Sequence, residues 1–402
     1  MVMTLWSKRS MTRIKAQSPY SRMSPVRFHP GHYWNPRLGD QGNWNLDGSG
    51  NITSAAWINL LAKIEPYSAI RGLTMRASWT DIQPTSINDY SGIDFLEALC
   101  DDLAAIGKRL IIHIPTRTFA AGTRAAPVWA RTEAGYDGGD HPYSSSAVTP
   151  AHNGYNINWH TPAVAAKMAD MFAELATRLA AKSNFEGIIL METAYGTKID
   201  LGPPITFNAL SGAEQTSYID GQLSAISQVK ITRPDLMAIQ YANTRSELPT
   251  YIPSLVAAGV GLGGPDLWVQ PEGNAPTWPE NTAVWTTTGN QGSYRYYHDY
   301  RNQIPLLIHA QPDNYRWPTK DGDGDYVPTI QELIDSAKTA ATPDLQVNYL
   351  IWTDDPGGDA NVTTGVGNYP AFDDQILAKL AEAAQTADPA GGLNINYPSD
   401  YL

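Results

Sequence analysis

Along most of this sequence, short apolar segments alternate with segments of helical spacing, and this alternation constrains the fold more than any other feature. The segment 185–191 is typical, because its apolar residues follow one another almost without polar alternation, as in a strand covered by helices on both faces. Eight predicted strands occur, and a predicted helix follows seven of them. A doubly wound open sheet also alternates in this way, but eight units in one chain fit a closed barrel better. We therefore predict an α/β fold, a single-domain (β/α)8 TIM barrel with long βα loops.

The predicted strands share an apolar run that ends in polar or aromatic residues: 25–34, 70–77, 109–114, 185–191, 236–241, 260–267, 305–310 and 347–352. The predicted helices share apolar positions at helical spacing: 52–67, 92–107, 162–182, 212–229, 251–258, 329–340 and 372–386. Two long segments, 118–160 and 268–303, are predicted to be loops that wall a cleft. The barrel domain is expected to span 25–402. Residues 1–24 carry five basic side chains and no apolar core like that of a signal peptide, so we predict a basic N-terminal arm and leave the compartment open.

Composition excludes several classes of protein. The 402 residues include 28 basic and 40 acidic side chains, a net charge of −12, and no basic stripe follows the arm, so nucleic acid is not expected as a partner. No stretch reaches the roughly 18 apolar residues that a membrane span needs, so no membrane partner is expected. The lone Cys100 excludes a disulfide framework. With 12 Trp and 21 Tyr against 7 Phe, the chain is rich in rings that stack well on sugars. The oligomeric state stays open.

Chemically capable side chains follow the predicted strands at the point where each strand ends. They are His32 and Trp34, Arg76 and Trp79, His113 and Arg117, Glu192, Tyr241 and Asn243, Asp266, His309 and Gln311, and Trp352 with Asp354 and Asp355. In a β/α barrel these ends form the active face. Carboxylates, histidines and aromatic rings in one cleft suit cleavage of a glycosidic bond, which needs an acid, a second carboxylate and surfaces that hold sugars.

The second and third predicted strands carry a recognisable pattern. It consists of the segments 72–84, with Arg76, Trp79 and Asp81 before Pro84, then 89–91, then 107–114. This pattern resembles strands two and three of clan A glycoside hydrolases, clearly over the first half of the barrel and by topology over the second half. The resemblance implies a glycosidase that acts on a poly- or oligosaccharide, requires no cofactor and has a carbohydrate as its partner.

The resemblance implies that Glu192, at the end of strand four, is the general acid/base. Clan members have Asn before that residue, where this chain has Met191, and they have a nucleophilic Glu at the end of strand seven, where this chain has Gln311. Another residue must then supply the second carboxylate. Asp266 is the first candidate because it ends strand six, Glu272 is the next, and Asp313 is a further alternative.

Each candidate also has a structural interpretation. Glu192 or Asp266 could pair with an arginine for stability, Asp266 could cap its strand, and Glu272 could be a solvated loop acid. The histidines could be satisfied strand-end residues. The candidate substrate-binding residues are Trp34, Arg76, Trp79, His113, Tyr195, Tyr241, His309, Gln311 and Trp352.

A separate acidic motif precedes the helix predicted at 329–340. Asp321, Asp323 and Asp325 alternate with other residues, and Glu332 stands at the twelfth position, which matches the ligand spacing of an EF-hand loop. The sixth position holds Tyr326 where that loop has Gly. The motif predicts a structural calcium site, with a solvated acidic turn as the alternative.

Two other functions stay open. The absence of a Glu at strand seven is also compatible with a catalytically silent barrel that binds glycans. A carboxylate-and-histidine barrel could also act as a polysaccharide lyase, whose unsaturated product absorbs ultraviolet light. A metal-dependent hydrolase is weaker, because no pair of histidines has ligand spacing on one helix.

Overall fold

A computed structural model describes twelve parts of the chain. They are 27–36, 51–118, 122–145, 152–191, 193, 211–242, 248–265, 267, 291–311, 329–338, 345–353 and 372–401. The predicted arm at 1–24 lies outside them. Among the described helices, none combines the length and hydropathy that crossing a bilayer needs.

Eight parallel strands close into a barrel, which confirms the predicted fold class. The described strands are β1 (Gly31–Asn35), β2 (Ile70–Arg76), β3 (Arg109–Ile114), β4 (Asp140–Ser145), β5 (His152–Ile157), β6 (Phe185–Leu190), β7 (Met237–Tyr241), β8 (Gly261–Gly264), β9 (Leu306–Ala310) and β10 (Tyr349–Thr353). The order around the barrel is β1-β10-β9-β8-β7-β6-β3-β2, and β4 pairs with β5 in a separate antiparallel hairpin.

Helices follow the barrel strands, as the spacing predicted. They are α1 (Ala55–Ile64), α2 (Trp79–Ile82), α3 (Ser91–Ala105), α4 (Val128–Thr132), α5 (Pro162–Leu179), α6 (Gly212–Thr232), α7 (Leu248–Ala257), α8 (Gln291–Tyr300), α9 (Ile330–Ala337), α10 (Phe372–Leu380) and α11 (Ala383–Thr386). Both segments predicted as long loops contain regular structure. The first holds α4 and the hairpin, and the second holds α8, whose inner face is formed by the buried rings of Tyr294 and Tyr297 instead of an aliphatic stripe.

The first strand begins later than predicted, at Gly31, because Pro30 has no N–H to offer a ladder. The residues before it are held in another way. The Arg27 guanidinium donates to the carbonyl oxygens of Ala180, Lys182 and Phe185 at 2.6 to 2.7 Å. This segment therefore ties the start of β1 to the end of α5 and the start of β6.

The apolar core has two layers that follow the alternation of side chains along each strand. One layer lies between the strands and the helices and includes Trp34 and Trp352. The other fills the barrel interior and includes Tyr33, Tyr241 and Ile351. Neighbouring residues of one strand, such as Tyr33 and Trp34, therefore belong to different layers.

The amino end of the barrel is closed by a buried carboxylate. Glu186, at the start of β6, is fully buried. Its Oε2 accepts from Arg109 Nε at 2.7 Å and lies 2.8 Å from His29 Nδ1, while its Oε1 accepts from the backbone N–H of His29 at 2.7 Å and from the Tyr349 hydroxyl at 2.8 Å. We call His29, Arg109, Glu186 and Tyr349 the base cluster.

Candidate active site

The carboxyl ends of six barrel strands bring polar side chains together at the opposite end. These six residues, one from each of β1, β2, β3, β7, β9 and β10, are called the mouth cluster: Asn35, Arg76, His113, Tyr241, His309 and Thr353. All are buried except Arg76, which is exposed. Arg76 and His113 are register partners on neighbouring strands. Four of the six were predicted from the sequence as site residues: Arg76, His113, Tyr241 and His309.

His113 on β3 forms a pair with Tyr241 on β7, and only β6 lies between these two strands. The Tyr241 hydroxyl lies 3.2 Å from His113 Nε2, and the two rings meet edge to face with centroids 5.4 Å apart. The His309 ring lies on another side of His113, at a centroid distance of 5.8 Å. Within the described part of the chain, the buried Nδ1 of His113 has no hydrogen-bond partner. His113 therefore keeps one ring nitrogen for a further contact.

His309 is held by the two neighbouring strand ends. Its Nε2 lies 3.2 Å from Asn35 Nδ2 and 2.5 Å from Thr353 Oγ1. Because an amide nitrogen only donates, Nε2 accepts, and the neutral ring carries its proton on Nδ1. That buried Nδ1 also has no hydrogen-bond partner among the described residues. The arrangement fixes the tautomer and leaves a buried N–H donor.

Both histidines are neutral near pH 7. Burial, reinforced by the positive charge of Arg76, holds the pKa of His113 well below its usual range. Burial also holds the pKa of His309 well below its usual range, and His113 and Arg76 act in the same direction. A neutral imidazole can both donate and accept, which suits recognition of hydroxyl groups.

A pocket of about 320 Å³ opens next to the mouth cluster, at the carboxyl ends of β2 and β3. Its described lining combines arginine, serine and threonine side chains with the Asp81 carboxylate and the apolar Pro115 and Met191. The arginines come from three segments: Arg76, Arg117 and Arg124. We call this space the arginine pocket. Its volume is at the lower end of the range for ligand sites.

The residues on either side of Glu192 are bonded to the ends of neighbouring strands. The backbone N–H of Met191 donates to the carbonyl of Ile114 at 3.0 Å, and that of Thr193 donates to the carbonyl of Tyr241 at 3.1 Å. Met191 and Thr193 are both buried. The chain on both sides of position 192 therefore lies at the carboxyl end of the barrel. Several predicted site residues lie outside the described residues: Glu192, Tyr195, Asp266, Glu272, Asp321, Asp323 and Asp325.

The three tryptophans predicted as sugar-stacking surfaces are core residues. Trp34, Trp79 and Trp352 are fully buried in the layer between the barrel and its helices. Lys63 Nζ lies 5.0 Å from the Trp34 ring centroid, and Trp352 Nε1 donates to His32 Nδ1 at 3.0 Å. No ring face remains exposed for a sugar, so the assignment of these tryptophans to substrate binding is corrected.

Two further predicted site residues have defined partners. Gln311, directly after β9, donates from Nε2 to the carbonyl oxygen of Pro265 at 2.6 Å, so it links the ends of β9 and β8. Glu332, predicted as a calcium ligand, forms a capping box with Thr329 at the start of α9, where its carboxylate accepts from the Thr329 backbone N–H and hydroxyl at 2.7 Å each. Among the described residues, no three His, Cys, Asp or Glu side chains converge as a metal site would require.

Sequence reasoning missed Asn35 and Thr353, and it noted Arg117 without assigning it to the site. A signal for the first two was present in the strand alternation. His113 and Ile111 face inward together, and the same period of two would have selected Asn35 with Tyr33, and Thr353 with Ile351. Arg124 had no such signal, because its segment lies outside the barrel strands.

The comparisons with known proteins identify the fold. No family model matches the chain, and no curated protein does. Among solved structures, endo-glycoceramidase II from Rhodococcus sp. is similar over 88% of this chain and 80% of its own, with a TM-score of 0.51 and 12% identity. The catalytic domain of a β-amylase from Paenibacillus polymyxa matches over 89% of this chain and 100% of its own, with a TM-score of 0.48 and 10% identity. The similarity to endo-glycoceramidase II shows the barrel fold.

Proposed function

We propose that this protein is a glycoside hydrolase that cleaves a poly- or oligosaccharide, with Glu192 as the general acid/base. The hydrogen bonds of Met191 and Thr193 carry the proposal, because they hold the chain on both sides of Glu192 at the carboxyl end of the barrel, beside the arginine pocket. This end of the fold carries the chemistry in characterised barrels of this kind. Protonation of the leaving oxygen there needs one positioned carboxylic acid.

Asp266 is the first candidate for the second carboxylate, and Glu272 is the next. Asp266 directly follows Pro265, whose carbonyl oxygen is bonded to Gln311 at the end of β9. Two carboxylates on opposite sides of a sugar ring are what glycosidic cleavage requires, as nucleophile or as base. Replacing either residue with its amide identifies the partner, because the correct variant loses turnover and the other does not.

The mouth cluster is assigned to sugar binding. The Nδ1 atoms of His113 and His309 have no protein partner among the described residues, and both rings are neutral, so each can form a hydrogen bond with a sugar hydroxyl without a change of charge. Both rings are buried, so the surrounding side chains must move for a sugar to reach them. Because both nitrogens are buried, a complex that leaves one of them without a hydrogen bond loses binding free energy. A substrate that lacks the matching hydroxyl should therefore bind much more weakly.

The first experiment is a screen for released reducing ends, with wild type and Glu192→Gln, against a broad panel of plant, algal and microbial polysaccharides. We expect release from one class of glycan and a loss of about 10²–10⁴ in turnover for the variant, because a general acid supplies a factor of that size. Glu382→Gln is the matched control, because it removes one carboxylate from a half-exposed surface site paired with Lys379. Activity that persists in Glu192→Gln contradicts the assignment.

A glycan-binding barrel without activity is the second candidate, because β9 is followed by Gln311 where the catalytic family has its nucleophile. This candidate predicts sugar binding in both wild type and Glu192→Gln, with no product in either. A lyase predicts an ultraviolet-absorbing unsaturated product in place of a new reducing end alone. One assay with both readouts separates the three functions.

Structural calcium at Asp321, Asp323, Asp325 and Glu332 is retained as a proposal. The capping box gives Glu332 a role that needs no metal. Calcium binding would raise the melting temperature in a concentration-dependent way. Asp323→Asn should abolish that shift, and an unchanged melting temperature of the wild type would exclude the site.

A further inference from the structure

We infer that Thr116 is a positioning residue for the strand end that carries Glu192. This inference rests on the proposed function, because it names a residue through which the general acid is held in place. Thr116 follows the end of β3 and is 1% exposed. Its hydroxyl donates to the carbonyl oxygen of Met191 at 3.1 Å, and that carbonyl belongs to the peptide group that joins Met191 to Glu192.

The bond from Thr116 adds to the two backbone bonds that hold the residues on either side of Glu192 to the ends of β3 and β7. Those two bonds join backbone groups, which most residue types offer equally. The third bond comes from a side chain, so it depends on which amino acid stands at position 116. Because β6 ends at Leu190, the carbonyl of the buried Met191 lies beyond the regular pairing of that strand. The Thr116 hydroxyl therefore supplies a donor where the strand itself has ended.

The Thr116 side chain stands on a fixed support. Its own carbonyl oxygen accepts from the backbone N–H of Ile157 in β5 at 2.9 Å. Two residues further on, Thr118 donates from its backbone N–H to the carbonyl oxygen of Tyr155 at 2.9 Å, and its hydroxyl accepts from the Tyr155 N–H at 3.0 Å. The β4–β5 hairpin thus fixes the backbone that carries Thr116. Since a β-branched side chain has few rotamers, its hydroxyl is held in a defined direction.

This support matters for catalysis because a general acid must lie within hydrogen-bond reach of the oxygen that it protonates. A displacement of about 1 Å can lower turnover by a factor of about 10². Thr116 also lines the arginine pocket together with Met191, so a direct contact with the sugar is the alternative role for its hydroxyl. The two roles differ in kinetics, because loss of positioning lowers kcat whereas loss of a substrate contact raises KM.

The first test measures backbone hydrogen exchange by mass spectrometry and needs no substrate. It compares the full-length wild type with Thr116→Val and Thr116→Ser. Thr116→Val nearly keeps the shape of the side chain and removes the donor, so exchange at 191–193 should become about ten-fold faster, because a bond to a buried group is lost. Thr116→Ser keeps a hydroxyl and should exchange at nearly the wild-type rate.

Thr74→Val is the matched control for the exchange test. Thr74 is a fully buried threonine on the neighbouring strand β2, and its hydroxyl has no hydrogen-bond partner among the described residues. Its replacement should leave exchange at 191–193 unchanged. If Thr116→Val does not fold, Thr116→Ala takes its place, because it removes the hydroxyl and adds no group. Exchange at the wild-type rate in the variant without the hydroxyl overturns the inference.

The second test measures kinetics on the polysaccharide from which the screen releases reducing ends. Thr116→Val should lower kcat by a factor of about 10 to 10² and leave KM nearly unchanged, because the acid is displaced while the sugar contacts remain. Thr116→Ser should restore most of the kcat, and Thr74→Val should have the wild-type kcat. A raised KM with an unchanged kcat in Thr116→Val would assign the hydroxyl to the substrate and overturn the positioning role.

The two proposals fail in distinguishable ways. If the wild type gives no product, hydrolysis is overturned, and hydrogen exchange still decides whether Thr116 holds the strand end. If the wild type gives product and Thr116→Val has an unchanged kcat, the hydrolase stays in place and the positioning role is overturned.

Discussion

The two ends of the barrel differ in how fully their buried polar groups are hydrogen-bonded. At the base, every oxygen of the Glu186 carboxylate is bonded, and the partners include the charged Arg109. At the mouth, His113 and His309 each keep a buried ring nitrogen without a partner among the described residues. A saturated network stabilises the fold, whereas a buried donor or acceptor without a partner is a candidate for a functional contact.

The pKa values follow the same division. Burial raises the pKa of Glu186, but the hydrogen bonds from His29 and the charge of Arg109 outweigh burial and bring it to about 2. No carboxylate among the described mouth residues offsets burial for His113 and His309, and the charge of Arg76 adds to it, so both rings stay neutral. The amino end of the barrel thus holds an ionised, fully bonded carboxylate. The carboxyl end holds two neutral histidines next to the positive charge of Arg76.

The largest expected effect is at the base. Glu186→Gln keeps the shape of the side chain but leaves Arg109, which is 16% exposed, without its counter-charge. We expect a loss of about 3–5 kcal/mol in the free energy of unfolding, measured by urea titration. The control Glu382→Gln, at a 49% exposed carboxylate, should change stability by about 0.5 kcal/mol or less. A loss below about 1 kcal/mol would show that the base cluster is not a main source of stability.

Tyr349→Phe tests one bond of the same cluster. The variant removes the hydroxyl that donates to Glu186 Oε1 at 2.8 Å. Because the acceptor is ionised, the loss should be about 1.5–3 kcal/mol, again by urea titration. The double variant with Glu186→Gln should lose less than the sum of the two single variants, since both act on one network. Additive losses would argue against direct coupling.

The two ends should also respond in different pH ranges. The folded protein keeps His113 and His309 neutral, while the unfolded chain protonates them below about pH 6.5, so stability falls as pH drops through that range. Each such histidine contributes about 1.4 kcal/mol per pH unit to the slope of the free energy of unfolding against pH. His32 and His141, whose pKa values burial lowers to about 4, add to it.

The variants separate these contributions. His309→Asn should reduce the slope between pH 6 and 5, as measured by urea titration at each pH, by about 1.4 kcal/mol per pH unit. Glu186→Gln should leave that slope unchanged, because the stabilisation from a pKa of about 2 is present above about pH 4.3 and is lost only as pH falls from there towards 2. A slope that does not respond to His309→Asn would contradict a neutral His309.

The smallest effect is expected from Thr353→Val at the mouth. The variant removes the hydroxyl that lies 2.5 Å from His309 Nε2 and nearly preserves the shape. Both groups are neutral and Asn35 remains in contact, so we expect a loss of about 0.5–1.5 kcal/mol, below that of Tyr349→Phe. A loss larger than that of Tyr349→Phe would reverse the proposed contrast between the two ends.

Much of the fold followed from local patterns in the sequence. The predicted strand 109–114 coincides with Arg109–Ile114, and the other seven barrel strands were also found, with their ends displaced by a few residues. Arg76, His113 and His309 were assigned to the mouth because they stand where apolar runs end. These signals are local in the chain, so one sequence is enough to read them.

What the sequence determined by itself was the number and order of the barrel strands. The end of the barrel at which the chemistry lies stays a prediction. The tertiary structure alone decided which face each side chain occupies. Trp34 and Trp352 are in the helix-covered layer although their neighbours Asn35 and Thr353 reach the site. Both faces of a barrel strand are buried, so hydropathy does not reveal its alternation. The arginine pocket likewise joins segments that only the closed barrel and its hairpin bring together.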